Sequence, residues 1–336
     1  MIKRFFGVAT VLAIGIGVLA GCGQSDSSGS AGTTTGTAAK GGDGGKKFKI
    51  GVSIPAADHG WTAGVKYWAE DAAKRYPEVD WIISTAATPD KQISDVETMM
   101  SNNIDGLVIL ATESAPLTPV GEEASKRGIF VVSVDRGFLK PVADVLVEGD
   151  NTEFGKKSAE YIANKLGGKG SIVILQGIPS TVNTARVEAA KKVFAQYPEI
   201  KVLDSQSGMW NREKALNVMQ AMLSKHPKID AVWGADDDMA LGAEQAIKEA
   251  GRQDQMWILG GGGMKDVVKR IMDGDKMFPA DITYPPAMIA DGMDVAVKSL
   301  KERAPKANGT PKHIKIPVEL ITPENAKDYY FPDSIY

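Results

Sequence analysis

Two stretches of this chain, Leu107-Val108-Ile109-Leu110 and Ile172-Val173-Ile174-Leu175, are apolar without a polar interruption. A strand with one wet face alternates apolar and polar residues, whereas a strand of a parallel sheet has helices over both faces and does not. The same kind of short apolar run recurs at Phe48 to Ile54, Trp81 to Thr85, Gly106 to Leu110, Phe130 to Val134, Val145 to Glu148, Ser171 to Gln176, Val202 to Ser205, Ala231 to Ala235 and Met256 to Leu259. Segments of helical period separate these runs. Trp61, Val65, Trp68, Ala69 and Ala72 fall on one helical stripe. Asp237 to Ala250 has an Asp cluster at its start and Gly251 just past its end, as N-caps and C-caps prefer.

Strand and helix alternating this regularly predict an α/β, doubly wound architecture. One such sheet does not usually hold so many strands. The character of the chain changes at Gly149-Asp150-Asn151, where a helix follows an apparent edge strand. Two doubly wound parallel-sheet lobes are the simplest reading. A further helix from Pro286 to about Lys301, after the turn Tyr284-Pro285-Pro286, predicts that the chain crosses between lobes more than once.

The N-terminus sets the compartment. Lys3 and Arg4 precede an apolar run from Phe5 to Ala20, rich in Gly and Ala and shorter than the ~20 residues a bilayer requires. It reads as an export signal over residues 1–21. Leu19-Ala20-Gly21-Cys22 looks like a bacterial lipobox, which implies cleavage before Cys22 and lipidation of its thiol on the periplasmic side or the outer face of the cell membrane. Cys22 is the only cysteine, so the folded body has neither a disulfide nor a thiol nucleophile. Residues 22–47 are mostly Gly, Ser, Thr, Ala and Lys, a composition too polar to build a core. They are expected to tether the body, with a reach of about 25–30 Å.

Lys and Arg number 39 against 42 Asp and Glu, interspersed along the chain. That argues against nucleic acid, which calls for a basic patch or stripe. No second apolar segment approaches membrane length. Three His at scattered positions supply no metal-ligand spacing, and neither a Ser-His-Asp arrangement nor a nucleophile elbow is apparent. The run Gly260-Gly261-Gly262-Gly263 lacks the GxxxxGK[ST] pattern of a phosphate loop and reads rather as a pocket wall without side chains. No cofactor is expected.

Ligands of open α/β sheets bind outside the carboxyl ends of the strands. The residues just past the predicted strands are Asp58, His59 and Trp61; Thr112 and Glu113; Asp135 and Arg136; Thr181, Asn183 and Arg186; Trp210 and Asn211; Asp236 and Asp237; Gly260 to Gly263; and Tyr284. Carboxylates accept from paired hydroxyls, Arg donates through a rigid fork, and Trp covers the C–H face of a ring. The mixture suits a sugar. Singly, each residue has a plainer role: Asp135 and Asp237 as helix caps, Arg136 and Arg186 as surface charges or interlobe ion pairs, Trp61 and Trp210 as packing, His59 as a loop residue. The binding reading rests on the set.

In Val134-Asp135-Arg136, Leu175-Gln176-Gly177-Ile178, Leu216-Asn217-Val218-Met219-Gln220 and Asp237-Asp238-Met239-Ala240-Leu241-Gly242-Ala243, the chain resembles the ribose-type periplasmic binding proteins of ABC sugar importers. The resemblance covers nearly all of Phe48 to Ile321. It implies a type I periplasmic binding protein fold, two lobes joined by three crossings with sugar held between them. The first lobe would hold residues 48–150 plus about 285–314, and the second 151–284 plus about 315–336. Asp135, Arg136 and Arg186 match the family's sugar-bonding residues, and Trp61 and Trp210 take its ring-stacking positions. Where the ribose branch carries Asn, this chain has His59 and Asp236; Tyr284 replaces a Gln, and Gly261-Gly262 a Phe-Asp pair. A hexose, polyol or cyclitol is therefore expected rather than ribose.

The expected sugar-binding set is His59, Trp61, Glu113, Asp135, Arg136, Arg186, Trp210, Asp236, Gly262 and Tyr284. The expected protein is a monomer that delivers its ligand to an ABC importer permease and catalyses nothing. A surface sensor presenting sugar to a membrane receptor is the alternative, and a sugar-phosphate enzyme a more distant one. A sugar-responsive transcription regulator would need a DNA-reading domain where the export signal stands.

Overall fold

The computed structural model describes residues 47–307 and 311–336. The expected export signal, Cys22 and the linker up to residue 46 lie outside the described residues. The chain begins β1 (Lys49–Pro55), α1 (Gly60–Lys74), β2 (Asp80–Ala86), α2 (Pro89–Ser101), β3 (Gly106–Ile109), α3 (Ser114–Lys126), β4 (Phe130–Val134), β5 (Val145–Gly149). A second series follows: α4 (Asn151–Lys165), β6 (Lys169–Gln176), α5 (Thr181–Phe194), β7 (Glu199–Ser207), α6 (Arg212–Lys225), β8 (Ala231–Gly234), α7 (Asp237–Glu249), β9 (Trp257–Leu259), α8 (Lys265–Met272), β10 (Asp281–Ile282). The last elements are α9 (Met288–Lys301), β11 (Lys312–Ile316), β12 (Leu320–Ile321) and the single turn α10 (Ala326–Tyr329).

Two parallel sheets organise these elements. The first has the order β11-β5-β4-β3-β1-β2 and the second β7-β6-β8-β9, with β10 and β12 forming a small antiparallel pair. The chain leaves the first sheet after β5, returns through α9, which packs on β3, β4 and β5, and leaves again between β11 and β12. One sequence-based reading is corrected here: β5 is not an edge strand, because β11 pairs with it from Lys312↔Val145 to Ile316↔Gly149. β11 reads Lys-His-Ile-Lys-Ile; its charged residues mark it as the true edge and hide it from an apolar-run search.

The uninterrupted apolar runs have the predicted cause. Leu107 and Ile109 of β3 enter one core cluster while Val108 and Leu110 enter the other, and all four are 0% exposed. Each such side chain contributes about 1.5–3 kcal/mol by leaving water. Five of the helices start where a polar residue caps them. Thr88, Asp150, Ser180, Asn211 and Asp236 each accept a backbone N–H from the first turn of the helix that follows. This corrects the capping role considered for Asp237: Asp236 caps α7, and Asp237, one residue inside, is fully buried and bonds elsewhere. No described helix is long and apolar enough to cross a membrane.

Candidate functional site

The loops after the strands of both sheets meet in one buried pocket. From the first sheet come His59 and Trp61 at the start of α1, and Asp135 and Arg136 after β4. Asp135 adopts φ +61°, an uncommon conformation for a residue with a Cβ, while its N–H donates to the Val147 carbonyl of β5 at 2.7 Å. Its carboxylate, 2% exposed, accepts a hydrogen bond from the Tyr284 phenol. Arg136 is 4% exposed; its NH1 donates to the carbonyls of Ala111 (3.2 Å) and Thr112 (3.0 Å) past the end of β3. Trp61 donates from Nε1 to the Tyr284 carbonyl at 2.9 Å, which ties α1 to the strap that leads into α9.

From the second sheet come Arg186 on α5, Trp210 before α6, Asp236 before α7, and Gly261 and Gly262 after β9. Arg186 donates from Nε to Asn151 Oδ1 (2.9 Å) and from NH1 to the Ala235 carbonyl (2.7 Å). Its guanidinium carbon lies 3.8 Å from the Phe154 ring centroid and 4.1 Å from that of Tyr284. Met209 and Trp210 both have positive φ, +59° and +52°, so a strained turn delivers the indole to the pocket. The indole packs against Gly177, where a Cβ would stand 2.0 Å from the nearest ring atom; only glycine leaves room for it. Across the pocket, the Arg136 guanidinium sits 4.7 Å from the Trp210 ring centroid.

The pocket has about 310 Å³ of space between its walls, part of it open to solvent. It brings together His59, Trp61, Asp135, Arg136, Arg186, Trp210, Asp236, Gly262 and Tyr284, the expected set without Glu113. Glu113 precedes α3 as its N-cap residue and makes no capping bond. Arg136 takes up the neighbouring Ala111 and Thr112 carbonyls. Val182 and Gly261 complete the wall. Val182 lies between Thr181 and Asn183, which sequence position had singled out; its apolar character hid it. Asn151 and Phe154, which hold Arg186 from α4, were also missed, because only the close packing of α4 on α5 brings them there. A Cβ on Gly155 would stand 2.0 Å from the Arg186 carbonyl oxygen.

Electrostatics follow from burial. Loss of water pushes the Asp135 carboxyl up, against the opposing pull of Arg136, the Tyr284 hydroxyl and Arg186. Burial likewise pushes Asp236 up to about 7, with Asp238 and Asp237 adding to it and His59 opposing. Near neutral pH Asp236 is therefore divided between a form that donates and one that only accepts. Two buried donors, Arg136 Nε and Trp210 Nε1, have no hydrogen-bond partner among the described residues. Buried carboxylates, unpartnered donors and the faces of Trp61, Trp210 and Tyr284 in one small pocket fit a compact ligand rich in hydroxyls. Among the described residues no group of three or more His, Cys, Asp or Glu is arranged to hold a metal ion.

Comparison with known proteins gives the same picture. A family model described as a periplasmic binding protein domain matches residues 50–304. The ribose import binding protein of Bacillus subtilis is 31% identical over 244 residues, 73% of this chain and 78% of that protein. A xylitol-binding protein of Mycolicibacterium smegmatis is 30% identical over 272 residues, 80% of this chain and 72% of that one. Among solved structures, the fructose-binding periplasmic domain of a hybrid two-component system is 33% identical, with a TM-score of 0.76 over 84% of this chain and 92% of that one.

Proposed function

The chain belongs to the periplasmic binding protein domain family, in its ribose-type branch of type I fold, and on that premise we propose that it captures a monosaccharide, polyol or cyclitol between two closing lobes and hands it unchanged to an ABC importer. The observation that carries the proposal is a pair of buried donors that make no hydrogen bond among the described residues, Trp210 Nε1 and Arg136 Nε, the latter 3.8 Å from Asp135 Oδ2, in a pocket that also holds Asp135 and Asp236. A donor left unpaired in an occluded site costs free energy that a hydroxyl oxygen recovers. A site made of such groups also rejects analogues that lack the hydroxyls. Relatives that bind ribose and xylitol support the ligand class.

The lobes are residues 48–150 with about 285–314, and 151–284 with about 315–336; the three strand-to-helix or strand-to-strand crossings between them act as the hinge. The ligand favours the closed form because only there do both lobes bond it. The body works as a monomer, exported and held on the membrane through lipidated Cys22, a reading supported by Leu19-Ala20-Gly21-Cys22. Catalysis forms no part of this reading; the relatives named above are binding proteins.

The test is a thermal-shift screen against pentoses, hexoses, polyols, inositols and sugar phosphates, with tryptophan emission read in parallel. Ligand at about 100 times its dissociation constant adds about 2.7 kcal/mol to native stability, a rise of several degrees for a chain of this size. A hit lost in Trp61→Ala and Arg186→Ala, with the ligand recovered at unchanged mass, supports capture without turnover. A folded protein that responds to none of the panel removes the sugar reading. A second reading, a sensor that presents its bound ligand to a membrane receptor, is favoured by the likeness to a domain of a hybrid two-component system. Recovery of a receptor rather than a permease with the liganded protein selects it.

A further inference from the structure

Gly262 lines the pocket and has φ +154°, and a Cβ built on it would stand 2.0 Å from the phenol oxygen of Tyr336. Where the backbone of the glycine run carries no side chain, a tyrosine from the segment after α10 fills the volume. The same tyrosine reaches the first sheet's helix: a Cβ on Gly60 would meet its Cδ2 at 3.2 Å, and a Cβ on Gly64 its Cβ at 3.4 Å. Tyr336 thus lies between α1 and the loop after β9 and is 6% exposed. Its Oη is buried and has no hydrogen-bond partner among the described residues, the same condition as Arg136 Nε and Trp210 Nε1. Burial, with Asp237, Asp236, Asp238 and Asp281 around it, holds the phenol well above its ordinary value, so the hydroxyl keeps its proton and remains a donor.

Tyr336 stands directly behind Gly262 and is not itself part of the lining; we propose that it determines specificity from there, its phenol donating to a ligand oxygen past the wall where Gly261 and Gly262 present no side chain. The ring joins the two lobes there, and the hydroxyl reads the ligand. The assignment rests on the reading of the site as one for a polyhydroxylated ligand.

The experiment compares the whole protein with Tyr336→Phe and Tyr336→Ala, by calorimetric titration with the compound that stabilises the wild type most in the panel above, and by melting without ligand. Tyr336→Phe keeps the ring and removes only Oη. It is expected to bind three- to tenfold more weakly, as the loss of one neutral hydrogen bond predicts. Without ligand it is expected to melt about 2–4 °C higher, because a buried unpartnered hydroxyl is gone. Tyr336→Ala, which also loses the ring between the lobes, is expected to bind more weakly still and to melt lower. Tyr336→Phe binding with the wild-type dissociation constant overturns the assignment and leaves the sugar reading intact. A wild-type protein that binds nothing in the panel overturns the sugar reading and this assignment with it. If Tyr336→Ala does not fold, the Phe variant decides alone.

Discussion

Arg186 is 3% exposed, and its guanidinium is fixed by two hydrogen bonds and two aromatic rings before any ligand arrives. A planar fork held in this way points its remaining N–H groups in a fixed direction, so it loses little freedom when a hydroxyl accepts from it. Lysine keeps the charge but has no plane to stack on Phe154 or Tyr284 and no Nε to bond Asn151. Arg186→Lys is therefore expected to weaken ligand binding by roughly 10- to 100-fold, the value of one or two hydrogen bonds to a charged group, as measured by calorimetric titration. A Lys variant with wild-type affinity would mean that Arg186 is only a strut between α4 and α5. The strained residues make a similar case: Asp135, Met209 and Trp210 hold positive φ beside the pocket, and nothing in their sequence announces it. Sequence position found Asp135 and Trp210 because they follow strands, but could not show that the backbone turns left-handed to deliver them.

α7 begins with a buried carboxyl pair that ties it to β10 and to the glycine run. Asp237 accepts from the N–H groups of Gly261 and Met264, and Asp281 from those of Gly263 and Ile282. Burial pushes Asp237 up to about 6, although those N–H bonds and a hydrogen bond with Asp281 pull it down. Asp281 goes well above its ordinary value through burial and the neighbouring charge of Asp237. Both carboxyls bind protons more tightly folded than unfolded, so their contribution to stability is full below the ordinary value of about 4 and is lost as pH rises through about 6 and beyond. Asp281→Asn cannot ionise, keeps a donor toward Asp237 and gives up one acceptor. It is expected to melt below the wild type at pH 4, with the gap narrowing by pH 7 in a series of thermal melts; a constant gap would mean that the pair does not titrate. Elements differ in how far the chain reveals them for the same kind of reason. β3, β6 and β8 stand out because apolar residues on both faces leave no polar interruption. β10 and β12 are two residues each, too short to show a period, and exist because each pairs with the other. Of the candidate site, the strand-end residues were legible from the α/β rule, whereas Phe154 and Asn151 reach Arg186 through helix packing, which no local pattern encodes.

Elements of the two sheets are joined by hydrogen bonds around the pocket as well as in it. Thr181, the first residue of α5, accepts at Oγ1 from the Gly137 N–H (3.0 Å) and donates its own N–H to Ser114 Oγ (3.2 Å), while the Gly60 N–H donates to Asp238 (2.8 Å). These rim groups bond one another between the sheets and do not line the pocket; on the function proposed above they act on the equilibrium between open and closed forms rather than on the ligand. For a protein whose binding-competent form is a fraction of the population, the apparent dissociation constant is the intrinsic one divided by that fraction. Thr181→Ala removes the bond from Gly137 and is expected to weaken binding by roughly two- to tenfold, the value of one neutral hydrogen bond. Because closure is the same step whichever ligand occupies the pocket, that factor is expected to be equal for every compound that binds. Changes at Arg186, which lines the pocket, are expected in contrast to reorder the compounds. Titration of one small panel against Thr181→Ala and Arg186→Lys separates the two kinds of residue. If Thr181→Ala changes the ranking, the rim takes part in recognition, and the division between a closing hinge and a reading pocket does not hold for this molecule.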